Sequence, residues 1–129
     1  MASAITGRVL ILENDYCNRI LFADYLAHCG YCVRALADER QLLHVLKDFQ
    51  PQVLLLNLRM PVMDGFTVIE TLRCHAQWAQ LSILVVSGYT RAQDRQKAYQ
   101  LGANDYLTKP VMPSDLSAAV ERLLCCIKR

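Results

Sequence analysis

Residues 51–65 read PQVLLLNLRMPVMDG, and this stretch decides the fold. Val53–Leu56 is an unbroken apolar run, which is typical of a parallel strand that helices cover on both faces. The polar residue Asn57 follows at once. In open α/β sheets the carboxyl ends of the strands face the crevice where ligands bind. Asn57 is therefore the first candidate for a functional residue.

Apolar runs alternate with helix-like segments on both sides of this stretch. The predicted strands cover residues 8–12, 31–36, 53–56, 81–87 and 104–108. The predicted apolar helix faces recur every three or four residues: Cys17, Ile20, Leu21 and Tyr25; Leu42, Val45, Leu46 and Phe49; Val68, Ile69 and Leu72; Leu116, Ala119, Val120, Leu123 and Ile127. The helix over 91–101 is the most polar, so we expect it to be exposed.

Residues that favour helix ends stand at the borders of these segments. Asp15 and Asp38 are predicted N-caps, Gly65 and Pro113 with Ser114 begin helices, and Gly30, Pro51 and Gly102 end them. Asp64 is expected to shape the loop before Gly65. Trp78 and the histidines at 28, 44 and 75 have no ligand-like spacing, and we expect structural or surface roles for them.

Five strands that alternate with five helices predict an α/β fold, a doubly wound (βα)5 domain with a five-stranded parallel sheet. Parallel neighbours require crossover connections, which are right-handed. The flavodoxin-like strand order 2-1-3-4-5 fits this pattern and places Glu13 and Asn14, after the first strand, next to Asn57. The length predicts a single domain over residues 1–129, with its core at about 8–124.

The composition excludes several classes of protein. The net charge of +2 indicates neither direct nucleic-acid binding nor a charged tail. The sequence has no secretion signal and no apolar run of the roughly 20 residues that span a bilayer, so we expect a cytoplasmic protein without membrane contact. The six cysteines are expected to be free thiols, mostly buried, in that compartment.

The chain resembles the receiver domain of two-component response regulators, the CheY-like family. The resemblance covers about residues 8–124, includes the sequences MPVMDG and GANDYLTKP, and depends on six positions: Glu13, Asn14, Asn57, Ser87, Tyr106 and Lys109 before Pro110. The family pattern has two acidic residues after strand one and Asp after strand three. Asn14 and Asn57 therefore depart from it, and each replaces a carboxylate with an amide.

The resemblance implies what these departures remove. In the family the Asp carboxylate attacks a phosphohistidine or an acyl phosphate, while Mg²⁺ held by acidic residues neutralises the transferring group. A carboxamide cannot serve as that nucleophile. Glu13 remains the only carboxylate among the expected ligands, so we expect no cofactor and at most weak Mg²⁺ binding. The resemblance also implies that Lys109 points at Glu13, and that Ser87 and Tyr106 are switch residues.

The predicted function is a degenerate receiver, a non-enzymatic interaction module that works without phosphorylation. The expected partner is a signalling protein (a histidine kinase, a phosphotransfer protein or an output protein) or a second copy of the chain. The resemblance implies contact through helix four, strand five and helix five, where Arg95, Lys97 and Tyr106 are the candidate residues.

Two other functions fit parts of the sequence. The chain could be a conventional regulator phosphorylated on Asp, captured as an Asp-to-Asn variant at position 57. A flavodoxin-like protein that binds a nucleotide or flavin would need a Gly-rich or Ser/Thr-rich phosphate loop after strand one. The sequence ENDYCN offers carboxylates there instead, which repel phosphate.

Asp15 could replace the missing phosphoacceptor, although its place at the start of a helix favours an N-cap.

Overall fold

The computed structural model describes residues 7–61 and 63–127. Its strands are β1 (Arg8–Leu12), β2 (Cys32–Leu36), β3 (Val53–Leu56), β4 (Ser82–Ser87) and β5 (Asp105–Thr108). They form one parallel sheet in the order β2-β1-β3-β4-β5, which confirms the predicted topology. Three strands begin one residue later than predicted. Tyr31 and Leu81 are excluded because their amides close helical turns, on Leu26 O and Trp78 O.

The helices of the described residues are α1 (Tyr16–His28), α2 (Leu42–Phe49), α3 (Gly65–Cys74), α4 (Ala92–Leu101) and α5 (Pro113–Ile127). Asp15 caps α1 as predicted, since its carboxylate accepts a hydrogen bond from Asn18 N at 2.8 Å. Asp38 caps a short 3₁₀ turn, Glu39–Gln41, so the prediction that it caps α2 is wrong. Asp64 is the N-cap of α3.

Two layers of helices cover the sheet. Alternate strand residues face opposite layers, because side chains in a strand alternate between its faces. Leu10 and Leu12 pack with α2, α3 and α4, whereas Val9 and Ile11 pack with α1 and α5. All of β3 is fully buried, which explains why its sequence is a continuous apolar run. Ile127 was predicted to complete the buried face of α5, but its side chain lies outside the described part of the chain.

The apolar face predicted for α1 is wrong in three of its four residues, since only Tyr25 packs, partly buried, against the core and Cys17 is exposed. Leu21 is 64% exposed and Ile20 42% exposed, while Phe22 and Leu26 are the residues that pack on the sheet. Apolar residues occur nearly all around this helix, so a helical period fits more than one face. The face that is buried is decided by contact with the sheet, and the spacing of apolar residues in the sequence carries no information about that contact.

The prediction that most cysteines are buried is also wrong. All six are free thiols and all are exposed. They stand at the ends of elements, where the chain leaves the core: for example, Cys29 caps α1, Cys32 begins the edge strand β2, and Cys74 ends α3. Cys29 and Cys32 also have a C-x-x-C spacing, so the interpretation that the cysteines show no such pairing is wrong. Within the described residues no helix is long and apolar enough to cross a membrane.

Gly65 brings α3 against the loop after β3. A Cβ at this position would lie 2.6 Å from Leu58 Cα and 2.7 Å from Asn57 O, closer than any side chain can approach. The Gly65 amide also donates a hydrogen bond to Leu58 O at 2.7 Å. The absence of a side chain here therefore helps to set the position of Asn57.

We predict that Gly65→Ala lowers the free energy of unfolding by about 1–3 kcal/mol, because the methyl group meets backbone atoms that cannot rotate away. Urea unfolding followed by circular dichroism measures the change. Gly88→Ala is the matched control, since nothing lies within 4 Å of a Cβ there. Equal stabilities of the two variants would contradict the close contact.

Candidate functional site

The carboxyl ends of β1, β3, β4 and β5 surround a polar crevice. Its cavity of about 330 Å³ is lined by Glu13, Asn14, Asp15, Asn18, Asn57, Arg59, Gly88, Tyr89 and Lys109. Four of the six predicted site positions, Glu13, Asn14, Asn57 and Lys109, thus meet in one place. The other two, Ser87 and Tyr106, do not line the cavity and are buried beside it.

The side-chain amide of Asn57 lies at the centre of this crevice. Its Nδ2 atom donates toward Asn14 Oδ1 at 2.7 Å, Arg59 O at 2.9 Å and Glu13 Oε2 at 3.2 Å. An ionised carboxylate and a backbone carbonyl can only accept hydrogen bonds. The NH₂ group of Asn57 must therefore face them, and the amide joins the loop after β1 to the loop after β3.

Glu13 and Lys109 form the charged pair of the crevice. The Glu13 side chain is fully buried, and the Lys109 side chain, which is 21% exposed, places its ammonium 2.9 Å from Glu13 Oε1. The Lys109 ammonium and Glu13 Oε1 form an ion pair, but their relative orientation does not meet the angles of a hydrogen bond. Glu13 Oε1 therefore has no hydrogen-bond partner. Glu13 Oε2 accepts a hydrogen bond from Asp15 N at 3.0 Å. Because a buried unpaired carboxylate is costly, Lys109 is the group that stabilises Glu13 in its ionised form.

Ser87 and Tyr106 both bind the backbone of Tyr89. The Tyr89 amide donates to Ser87 Oγ at 3.0 Å, and the Tyr106 hydroxyl donates to Tyr89 O at 2.8 Å. Tyr106 is only 3% exposed, and burial raises the pKa of its hydroxyl. The Arg95 guanidinium lies 5.1 Å from the centre of its ring. Tyr106 is therefore buried, with an acceptor for its hydroxyl and a cation over its ring, and its role in the interaction face stays a prediction.

Tyr89 is the site residue that the sequence analysis missed. Besides its two backbone bonds, its ring stacks on Phe66, with centroids 6.4 Å apart and planes 19° apart. The Arg59 guanidinium lies 5.5 Å from the Tyr89 ring centre. The available signal was an aromatic residue directly after Gly88, two positions beyond the end of β4, at the crevice edge of the sheet.

Of the other residues predicted for the interaction face, Arg95 and Lys97 are exposed on α4, whose one buried residue is Ala98. The Lys97 ammonium lies 4.5 Å from the Phe66 ring centre. On the neighbouring surface, Arg122 of α5 forms an ion pair of 2.5 Å with Asp105 of β5. Side chains from α4, β5 and α5 therefore share one charged surface.

A second, apolar groove lies between α1 and the connection from β5 to α5. It has a volume of about 630 Å³, and the apolar residues that line it include Leu21, Phe22, Val111 and Leu116. It borders the crevice, because Asn18 and Lys109 line both. The sequence analysis did not predict it, since it placed Leu21 in the core.

A family model for the response regulator receiver domain matches residues 9–121. The chain belongs to this family. It is 32% identical, over 117 residues, to the DNA-binding dual master transcriptional regulator RpaA of Synechocystis, and it covers 48% of that protein's length. It is 33% identical to an uncharacterized 14.6 kDa protein in the sodA1 3′ region of Leptolyngbya boryana, with 88% of this chain and 87% of that protein covered.

Solved structures of receiver proteins have a similar fold. The chemotaxis protein CheY4 of Vibrio cholerae superimposes with a TM-score of 0.86 at 27% identity, over 92% of this chain and 99% of that one. This receiver chain thus spans about half the length of RpaA and nearly all of CheY4. Receiver domains are signalling modules that interact with histidine kinases and output domains and can form dimers.

Receiver domains in general bind Mg²⁺ at their phosphorylation site, but the residues of this crevice fit the ion poorly. The three oxygens that meet at Asn57 are of types that Mg²⁺ accepts, yet they surround an NH₂ group, which repels a cation. Glu13 is the one carboxylate among them. Within the described residues no three His, Cys, Asp or Glu side chains gather in a metal-binding arrangement.

We predict that Asn57→Asp lowers the free energy of unfolding in chelator by about 1–3 kcal/mol. The new carboxylate loses the hydrogen bonds to Arg59 O and Glu13 Oε2 and places a like charge beside Glu13. Adding Asn14→Asp lowers it further, and millimolar Mg²⁺ restores much of both losses because it binds only the folded state. Urea unfolding with and without Mg²⁺ provides the measurement.

The parent chain and Gln77→Glu, which adds one charge at an exposed position away from the crevice, serve as controls for this experiment. Neither is expected to gain stability from Mg²⁺. A gain in the parent chain as large as that of the double variant would mean that the present crevice binds the ion after all.

Proposed function

We propose that this receiver is a protein interaction module whose signalling state is set by partner binding or by abundance, and not by aspartyl phosphorylation. One observation carries the proposal: the group at the phosphoacceptor position is an amide, and its NH₂ is occupied by three oxygens of the crevice. We also propose that the module is one receiver-like domain over residues 1–129 and has no catalytic residues.

The chemistry of the amide supports this proposal. The nitrogen lone pair is delocalised, and an amide oxygen forms no stable acyl phosphate. In addition, the Asn57 amide cannot turn its oxygen toward an Mg²⁺ ion without breaking the hydrogen bonds of its NH₂ group. Phosphoryl transfer needs both an anionic nucleophile and a cation that neutralises the transferred group. Glu13 does not replace the missing nucleophile, because its side chain is fully buried, and the Lys109 ammonium is already paired with it.

The alternative is a conventional phosphorylated regulator that carries an Asp-to-Asn change at position 57. The contact between Asn14 Oδ1 and Asn57 Nδ2, at 2.7 Å, favours the degenerate receiver. An amide at position 14 can orient its oxygen toward the neighbouring NH₂ group, so the two departures from the family pattern form one hydrogen-bonded unit. A change at position 57 alone does not account for Asn14.

The proposed partner surface combines α4, β5 and α5. The polar helix α4 contributes little to the core, and weakly packed elements are the ones that shift most easily. Its Arg95 and Lys97 are exposed, and Arg122 extends the charged surface onto α5. The partner is a signalling protein, such as a histidine kinase, a phosphotransfer protein or an output protein, or a second copy of the chain.

We predict that acetyl phosphate with Mg²⁺ leaves the protein unmodified, and that beryllofluoride with Mg²⁺ does not bind, since both need a carboxylate oxygen at position 57. Intact-mass spectrometry at neutral pH detects phosphorylation, and fluorine NMR detects bound beryllofluoride. The Asn14→Asp/Asn57→Asp double variant is the matched positive control and is expected to gain one labile phosphoryl group. The same labile gain on the parent chain would refute the proposed function.

A further prediction concerns the partner surface. Charge reversal at Arg95 and Lys97 is expected to weaken self-association or partner binding at least about tenfold, without a change in the circular dichroism spectrum. Sedimentation velocity measures self-association, and titration calorimetry measures binding once a partner is known. Lys47→Glu, on the exposed side of α2, is the matched control. If association survives the reversal but is lost in Leu21→Glu, the apolar groove beside α1 is the partner surface instead.

A further inference from the structure

A row of contacting side chains joins the crevice to the outer surface of α4. The Arg59 guanidinium lies over the Tyr89 ring, the Tyr89 and Phe66 rings stack, and the Lys97 ammonium lies over the Phe66 ring. We call these four residues the cation–aromatic column. They come from the loop after β3, the loop after β4, the first turn of α3 and the middle of α4.

The inner end of the column shares its backbone with the Asn57 network. Arg59 O accepts one of the hydrogen bonds of the Asn57 amide, at 2.9 Å. Tyr89 binds Ser87 through its amide and Tyr106 through its carbonyl. A shift of either loop therefore changes the surroundings of the Asn57 side chain directly.

The column has an exposed cation at each end. Neither Arg59 nor Lys97 has a carboxylate partner among the described residues. The one carboxylate on α4, Asp94, pairs with Arg91 at 3.2 Å. Arg95, two residues from Lys97 on the helix, lies on the other side of α4, against Tyr106 and Thr108. Charge complementarity favours an acidic partner. The small net charge of the chain, +2, gives none of the broad positive field that nucleic-acid binding uses.

We propose that Arg59 and Lys97 receive an acidic segment of a partner protein, and that this segment changes the Asn57 network by drawing the two cations away from the aromatic rings. The inference rests on the proposed function and adds the chemistry of the partner. The two rings are half-buried, but the cations that lie over them are exposed and therefore weakly held, so a carboxylate that forms a charge-assisted hydrogen bond can displace a cation. Binding at α4 and the arrangement of the crevice are then coupled, and the coupling is reciprocal.

The experiment titrates hexaglutamate into the isotope-labelled full chain at low ionic strength and follows it by NMR. The expected result is saturable shifts of the α4 backbone amides together with shifts of the two Asn57 side-chain NH₂ signals. Raising the salt concentration should weaken binding by about tenfold, because exposed charges are screened. Lys97→Glu should abolish binding, Lys97→Arg should retain it, and Lys47→Glu on α2 should have no effect.

The variant Tyr89→Leu tests whether peptide binding at α4 can be separated from the response of the Asn57 side chain. This variant keeps the cations of α4, so hexaglutamate should still shift the α4 amides, while the Asn57 NH₂ signals should no longer respond. Native dispersion of the amide spectrum shows that the variant is folded. If the Asn57 signals respond equally in the parent chain and in Tyr89→Leu, the column does not transmit the effect and that half of the proposal is wrong.

Two other outcomes would overturn the proposal. Absence of saturable binding at millimolar hexaglutamate would exclude the acidic segment, and tighter binding of a short DNA duplex than of the peptide would assign the surface to nucleic acid. None of these measurements uses a phosphodonor. A chain that accepts a phosphoryl group would therefore refute the proposed function while leaving the peptide result intact.

Discussion

The NH₂ group of Asn57 donates into a set of three oxygens, and the arrangement of the crevice depends on it. The two shorter contacts, to Asn14 Oδ1 and Arg59 O, take its two hydrogens, and the longer one brings Glu13 Oε2 to 3.2 Å. These contacts connect the loops after β1 and β3 by direct hydrogen bonds. Gly65 supports the same loop from outside, because α3 can approach the Asn57 carbonyl closely only without a side chain at that position.

The neutral amides also simplify the electrostatics of the crevice. Two carboxylates about 4 Å apart repel by roughly 4 kcal/mol before solvation, at an effective dielectric constant near 20. A crevice with three carboxylates therefore needs a cation. Here Glu13 is the buried carboxylate, and Lys109 lies against it at 2.9 Å. Because Lys109 already offsets the charge of Glu13, we propose that the crevice keeps its geometry without a metal ion.

Sequence reasoning recovered the features that local patterns determine. The buried strands, the sheet order and the meeting of Glu13, Asn14, Asn57 and Lys109 follow from apolar runs and parallel topology. The face of α1 was wrong because its apolar residues surround the helix. Tyr89 was missed, and the hydrogen-bond partner of Tyr106 was not predicted, because both depend on one contact between the Tyr106 hydroxyl and Tyr89 O, which joins β5 to the loop after β4.

That contact bears on how a receiver with an amide at its acceptor position can still have two states. The Tyr89 amide donates to Ser87 Oγ and the Tyr89 carbonyl accepts from the Tyr106 hydroxyl, so the two side chains that the family resemblance implies as switch residues both bind one backbone segment. The hydrogen bonds are internal, but the ring of Tyr89 is held from outside by Arg59 and, through Phe66, by Lys97. Contacts of exposed cations with rings are individually weak. Hydrogen bonds thus hold the loop after β4 on its buried side, while only weak contacts hold it on its exposed side. Under the proposal above, a partner that competes for these cations moves the loop without any covalent change at Asn57.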